Sequence, residues 1–316
     1  MGPLLFLVYI NDLSRASTYF RFILFADDTN IFASNKSKRD LYERVNSELG
    51  KLSDWFAHSK LTLNYSKTEF IDFSKPDVES SANNHGLIID GNLIRKVKES
   101  KFLGVFIDSD VSWRVHIGKI ITRISQTVGV IGRARSFMDR AQLSLLYNTM
   151  VLPHLQYCLI NWGNFKGDRN LGLRDRLLTL QKRLVRIISG SHRISHADPL
   201  FAELGVLKVD DLYAQSVMRF AFKAARKMLP GGIVSMIDKV SHGYNTRGSS
   251  SNFFMNRSDI RSLGSIAPKV WNSLPLPMKE LPSIASFKES SKRGLLAPYS
   301  SFVCHVPGCA SSVPPA

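Results

Sequence analysis

Residues 20–34 read FRFILFADDTNIFAS: two apolar runs with two adjacent carboxylates, Asp27 and Asp28, wedged between them. No other stretch so narrows the folds open to this chain. Like charges side by side repel, by roughly 1 kcal/mol at 4 Å in water and several-fold more near a protein surface. Solvent at a turn or a bound cation must offset that cost. The flanking runs, Phe22–Phe25 and Thr29–Phe32, are short and rich in aromatic and branched residues, and only Ala26, Asp27 and Asp28 separate them. That pattern predicts a β-hairpin with the acids at its tip.

The surroundings predict a mixed domain. Leu4 to Leu13 is apolar and helical after Pro3, a residue that suits a first helical turn. Leu41, Val45, Leu49, Leu52 and Phe56 recur at helical spacing, which predicts a helix over 38–58. Leu61 and Leu63 alternate, the Asn64–Lys67 turn follows, and Phe70, Ile71 and Phe73 form a second strand-like run. GLIIDGNLIRKV predicts a hairpin with Asp90-Gly91 as its turn, and KFLGVFID adds one more strand. Residues 1–110 are therefore expected to form a small α+β sheet domain.

Beyond Trp113 the period changes. Ile117, Ile120, Ile121, Ile124, Val128 and Ile131 lie on one helical face. Asp139 with Gln142 predicts a capping box ahead of Leu143, Leu146, Tyr147 and Met150. RDRLLTLQKRLVRIISG should bury Leu177, Leu180, Leu184 and Ile188, place Lys182, Arg183 and Arg186 on the far side, and stop at Gly190. That basic face is either solvated charge or a surface that tracks phosphates. Residues 111–200 thus read as a helical region and 201–229 as a further helical stretch. From 240 onward Gly, Ser, Asn and Pro accumulate and predict poor order, ending in the tail VPGCASSVPPA.

Charge points to the partner. The chain carries 42 Lys+Arg against 26 Asp+Glu, a net charge of +16, so a polyanion is expected, with nucleic acid ahead of a membrane surface. No run approaches the ~20 apolar residues that span a bilayer. The opening MGPLLFLVYINDL lacks the basic leader and small-residue cleavage site of a signal peptide. Three cysteines, Cys158, Cys304 and Cys309, are too few and too odd for a disulfide framework. CHVPGC with His305 lacks the partner pair that a structural zinc requires.

The chemistry follows from the acids. Mg²⁺ takes oxygen ligands while keeping several waters and phosphates in its shell. Two such ions about 3.5–4 Å apart stabilise both the attacking and the leaving oxygen of phosphoryl transfer. An Asp-Asp pair at a turn is also common with no metal at all, so its setting has to decide.

That setting resembles a known family. FILFADDTNIF at 22–32, GPLLFLVYINDL at 2–13, KLTLNYSKTEFIDF at 60–73 and KFLGVFIDSDVSWRVHI at 101–117 are similar to the reverse transcriptases of non-LTR retrotransposons of the jockey-like and related lineages. YNTMVLPHLQYCLINWG at 147–163, LQKRLVRIISG at 180–190, YNTRG at 244–248 and WNSLP at 271–275 continue the likeness in order. The resemblance implies a partial right-hand polymerase palm over 1–110, a thumb-like helical region over 111–200 and a C-terminal retroelement region over 201–316. It implies that Asp27 and Asp28 are the metal-site aspartates for Mg²⁺, with Mn²⁺ as the alternative. Lys67 would protonate the departing pyrophosphate, or else be a surface turn lysine. Gly2 and Pro3 would lie against template and incoming nucleotide, and Gly104 against the primer end, where packing is the competing role. Lys182, Arg183 and Arg186 would contact nucleic acid.

The implied partners are an RNA template, a DNA primer or target, and deoxynucleoside triphosphates, in the nucleus or the cytoplasm. The family's palm also needs an aspartate on an earlier strand and a basic fingers region, and neither is found after Met1. The expectation is an N-terminally truncated RNA-directed DNA polymerase that is inactive alone, the alternative being a non-catalytic nucleic-acid-binding remnant.

Overall fold

The computed structural model describes residues 1–74, 86–165, 170–234, 237, 252–254 and 262–300. YNTRG at 244–248 and the tail with Cys304, His305 and Cys309 lie outside them. The chain divides into two compact units, residues 1–112 and 113–316. No described helix is long and apolar enough to cross a membrane.

Unit 1 opens with helix α1 (Gly2–Ile10), which runs into a 3₁₀ turn at Asn11–Arg15. Strands β1 (Arg21–Phe25) and β2 (Asp28–Phe32) follow, then helix α2 (Lys38–His58). Ser37 caps α2, its hydroxyl accepting the Asp40 N–H at 3.3 Å. The core gathers Leu13, Phe20, Val45, Leu49 and Leu52 with Ile89 and Ile94 from the later, strand-bearing segment. Glu48 is buried beside them because Ser17 Oγ donates to it at 2.6 Å and Lys51 Nζ at 2.7 Å. A buried carboxylate persists only with such partners.

The later strands are β3 (Glu69–Phe70), β4 (Ile88–Ile89), β5 (Asn92–Leu93), β6 (Arg95–Lys96), β7 (Glu99–Phe102) and β8 (Val105–Asp108). Unit 1 is thus α+β as expected, but its strands join only in pairs among the described residues. β1–β2, β4–β5 and β7–β8 are antiparallel, and β3–β6 is parallel. The strands are two to five residues long, too short to build a wide ladder. Side chains also occupy strand edges: the Asn46 amide donates to the Gly86 carbonyl at 3.1 Å and accepts the Ile88 N–H at 2.9 Å, beside β4. The Asp90-Gly91 turn forms as predicted, both residues having positive φ (51° and 75°).

Asp72 ties unit 1 together. Its side chain accepts from Tyr42 Oη (3.1 Å), Lys96 Nζ (2.8 Å), Ser74 N–H (3.0 Å) and Ser74 Oγ (2.5 Å), with Lys38 Nζ at 3.3 Å. One carboxylate therefore joins α2, β6 and the segment after β3. Burial alone would push its carboxyl up, but Lys96, Ser74 and Tyr42 outweigh burial and hold it well below the usual carboxylate range.

Unit 2 is helical: α3 (Arg114–Ala134), α4 (Arg140–Met150), α5 (Leu152–Gln156), α6 (Leu159–Trp162), α7 (Leu171–Ile188), α8 (Ala197–Glu203) and α9 (Val209–Ala225), then α10 (Gly231–Val234), α11 (Leu263–Ser273), α12 (Leu276–Lys279) and α13 (Ile284–Ser300). The predicted apolar face of α3 is buried against Leu177, Leu184 and Ile188 of α7 and against Tyr147 and Trp162. The capping box at Asp139 and Gln142 is present. Gly190, with φ 68°, ends α7.

Gln181 of α7, fully buried, donates to Tyr147 Oη at 3.0 Å and to the Leu207 carbonyl at 3.2 Å, and accepts the Val209 N–H at 2.9 Å. It satisfies one of the free donors at the start of α9, where Lys208 supplies no side-chain cap.

The expectation of poor order from 240 onward is corrected over residues 262–300. α11 and α13 pack on α9 through Phe222, Trp271 and Phe287, α12 meets α13, and the rings of Phe222 and Phe287 lie 4.5 Å apart. α13 is fixed further along its length. Gln215 Nε2 donates to the Lys288 carbonyl at 3.0 Å, and the Tyr299 hydroxyl bonds Asp211 and accepts the Lys208 N–H at 3.2 Å. Packing overrides the weak helix propensity of the Gly, Ser and Pro in these segments.

Candidate functional site

The acidic hairpin has a tighter tip than its spacing predicts. Phe25 pairs with Asp28, so the turn is Ala26-Asp27 alone and Asp28 is the first residue of β2. Alternation then sorts the side chains. Phe22, Leu24 and Ile31 turn inward and pack on the unit 1 core. Arg21, Ile23, Phe25, Asp28, Asn30 and Phe32 share the other face, where Phe25 is 63% exposed. Asp27 and Asp28 are both exposed, so water disperses their repulsion. The ladder holds Asp28 firmly while Asp27 rides on the turn.

That turn is strained. Ala26 has φ 52°, a region that favours glycine. Holding a residue with a Cβ there costs on the order of 1–3 kcal/mol, whereas glycine adds up to ~1 kcal/mol of chain entropy on unfolding. Ala26→Gly is therefore expected to raise unit 1 stability by about 1 kcal/mol in urea titration. A loss of 1 kcal/mol would show that the turn is not strained as drawn.

Lys67 is exposed on a separate turn that Asn64 organises. Asn64 Oδ1 accepts from Ser66 Oγ at 2.7 Å and from the Lys67 N–H at 3.2 Å, and the Asn64 carbonyl accepts from Thr68 N–H and Oγ1, both at 3.0 Å. Gly104 sits with Leu103 at the tip of the β7–β8 hairpin, both residues having positive φ (87° and 45°). The turn itself therefore requires the glycine. The ring of Phe102 meets that of Phe32 edge to face, with centroids 6.3 Å apart. Phe32 lies at the open end of the acidic hairpin, about 13 Å along β2 from Asp28 at ~3.3 Å per residue. The Gly104 tip thus meets that hairpin at the end away from its acids.

Gly2 and Pro3 form the exposed first turn of α1, with open space where a Gly2 side chain would stand. Lys182, Arg183 and Arg186 belong to unit 2. Arg183 is exposed and Lys182 half-buried, whereas Arg186 Nε donates to the Ser195 carbonyl at 2.8 Å and holds the loop after α7. Arg186 has a structural task that its place on the helical wheel did not reveal.

The structure thus brings together Asp27 and Asp28, and sets Lys67 and Gly104 on two other turns of the same unit. Among the described residues no group of three or more His, Cys, Asp or Glu side chains could hold a metal ion. The acidic pair offers hard, exposed oxygen donors of the kind Mg²⁺ takes when it draws one or two ligands from protein and the rest from water and phosphates. To that extent the residues fit a divalent ion.

Comparison with known proteins supplies the setting. The family described as reverse transcriptase (RNA-dependent DNA polymerase) matches residues 1–107. A probable RNA-directed DNA polymerase from transposon X-element of Drosophila melanogaster is 22% identical over 218 residues, covering 67% of this chain and 23% of that protein. An RNA-directed DNA polymerase from mobile element jockey of Drosophila funebris is 22% identical over 222 residues, again 67% and 23%. The chain therefore spans about a quarter of the length of these relatives. No solved structure matches it. Residues 1–107 are thus similar to the reverse transcriptase family, and two thirds of the chain is similar to the RNA-directed DNA polymerases of two mobile elements.

Proposed function

We propose that this chain bears the metal-binding hairpin of an RNA-directed DNA polymerase and that, acting alone, it binds nucleic acid without copying it. The observation that carries the first half is the acidic turn, anchored by inward-facing Phe22, Leu24 and Ile31 inside the family-matched segment. Asp27 and Asp28 would hold Mg²⁺ or Mn²⁺, which when bound neutralises charge on the transferring phosphoryl group. Two exposed carboxylates form a weak site by themselves, since waters and substrate phosphates must complete the shell. Lys67, on its own exposed turn, is the candidate proton donor to the leaving group. Gly2, Pro3 and Gly104 are proposed contacts of template, nucleotide and primer.

Charge supports the binding half. The 42 Lys+Arg and 26 Asp+Glu divide as 14 and 15 in residues 1–112 against 28 and 11 in residues 113–316. Unit 1 is close to neutral, at −1, and unit 2 carries +17. Such asymmetry marks a polyanion-binding part.

Paramagnetic Mn²⁺ tests the site without relying on activity. Titrated Mn²⁺ should broaden NMR signals of residues 26–29 first, and Asp27→Asn with Asp28→Asn should abolish that broadening. Uniform broadening, or broadening unchanged in the double variant, rejects the site. Incorporation of nucleotides on a primed RNA template by the chain, lost in Asp27→Asn, would keep the site but overturn the claim that the chain does not copy.

A further inference from the structure

The sequence WNSLP at 271–275 has no part in the acidic hairpin, yet the fold gives its residues a task. Trp271 lies buried in the last turn of α11, and Pro275 precedes α12 as its N-cap. Between these two helices the chain holds a piece of backbone that belongs to neither. Asn252, Phe253 and Phe254 come from the connection between α10, which ends at Val234, and α11, which begins at Leu263.

The contacts are specific. Phe253 is buried in the cluster of Phe222, Trp271 and Phe287, its ring 5.7 Å from that of Trp271. The Asn272 side chain brackets the backbone of the same residue: Oδ1 accepts the Phe253 N–H at 2.9 Å, and Nδ2 donates to the Phe253 carbonyl at 2.9 Å. Lys279 of α12 donates to Asn252 Oδ1 at 3.1 Å and to the Asn272 carbonyl at 3.4 Å. Its ammonium lies 5.8 Å from the centre of the Trp271 ring. The next residue, Phe254, is exposed.

Extended peptides are recognised in this way. Hydrogen bonds to the main chain give affinity, and a pocket for alternate side chains gives specificity. Here one side-chain amide offers the donor and the acceptor that a neighbouring strand would otherwise supply, and one aromatic pocket takes Phe253 while Phe254 stays outside.

We infer that Trp271, Asn272 and Lys279 form a peptide-binding site whose ligand is an extended Asn-Phe segment, and that a second copy of this chain supplies it by exchange. The bonds that hold residues 252–254 in place are those that the same residues of another copy would make, so exchange sacrifices no contact. The chain's own segment wins in dilute solution because its tether gives it a high effective concentration. Charge opposes exchange, since each copy carries +16, and salt that screens this repulsion should favour it. The site shares no residue with the acidic hairpin, and its salt dependence runs opposite to that of nucleic-acid binding.

The test is fluorescence anisotropy of the labelled peptide SSNFFMN, residues 250–256, on the full chain. Phe253→Ala empties the pocket, so that variant should bind the peptide at least about 10-fold tighter than the unaltered chain, whose own segment competes. Adding Asn272→Ala should abolish the gain, and the peptide carrying Phe253→Ala should bind neither protein. Equal binding by the two chains, no binding to the folded variant, or a gain that survives the loss of Asn272 would overturn the site. Should Phe253→Ala fail to fold, hydrogen exchange on the unaltered chain decides. Excess SSNFFMN should then speed exchange of the Phe253 amide several-fold and the altered peptide should not, and no difference between the peptides would overturn the site. Sedimentation reads the source. Phe253→Ala, with an open pocket, mixed with Asn272→Ala, with a released segment, should form dimers that increase with salt and that excess SSNFFMN disperses. If the first variant does not fold, the unaltered chain should form such dimers near the tether's effective concentration, on the order of 1 mM. Peptide binding without dimers, or dimers indifferent to the peptide, would overturn the second copy as the source.

Discussion

Gln181→Leu is expected to destabilise unit 2 by about 3–5 kcal/mol, the largest single-residue effect we anticipate. The substitution keeps the bulk of the side chain and removes only its polar end. The Val209 N–H, the Leu207 carbonyl and the Tyr147 hydroxyl then lose their partner inside the core. Each orphaned group costs roughly 1–3 kcal/mol, and α9 starts with one more unmet donor. Burial already pushes the Tyr147 phenol up to about 12, so ionisation gives it no escape. Against a typical 5–15 kcal/mol for a whole domain, the loss should move the urea midpoint of unit 2 far to the left. A change below 1 kcal/mol would mean that water or a shifted backbone replaces the amide.

Asp72→Ala should weaken unit 1 by about 2–4 kcal/mol, because it breaks a nearly buried carboxylate away from two ammonium groups and three neutral donors. The effect carries a pH signature. The folded carboxyl is held below its unfolded value of about 3.9, so its contribution is complete above that value. It drains away as pH falls toward the lower folded value. The unaltered protein should therefore lose stability between about pH 5 and pH 2, and the Asp72→Ala protein should lose distinctly less over that interval. Glu48, through Lys51, and Asp90, through Ser53, are lowered in the same sense, so some acid sensitivity will remain. Parallel curves for the two proteins would remove Asp72 from this role.

Much of the local structure was legible because short-range rules governed it. The α2 and α3 spans, the capping box at Asp139, the Asp90-Gly91 turn and the stop at Gly190 each follow from residues within one or two turns of each other. The acidic hairpin was legible too, except that Asp28 proved to be a strand residue because Phe25 pairs with it. What stayed hidden depends on distant partners. The parallel pairing of β3 with β6 joins residues 26 apart. Asp72 sits in an unremarkable strand-like run until Lys38, Tyr42 and Lys96 converge on it. Arg186 looked like its neighbour Arg183 on a helical wheel, and only the fold brings the Ser195 carbonyl to it. The helices after residue 262 were missed because Gly264, Pro268, Gly294 and Pro298 argue locally against them, while Trp271 and Phe287 find their apolar partners on α9.

The late position of α13 sets a condition on how this protein can be made. Phe287, Ser291 and Tyr299 are all buried, yet they leave the ribosome after nearly every residue they cover. Until they emerge, α8 and α9 wait with an open apolar flank. A message that stops before codon 284 would leave that flank permanently uncovered, and its product should be cleared by proteases instead of accumulating as a shorter working form.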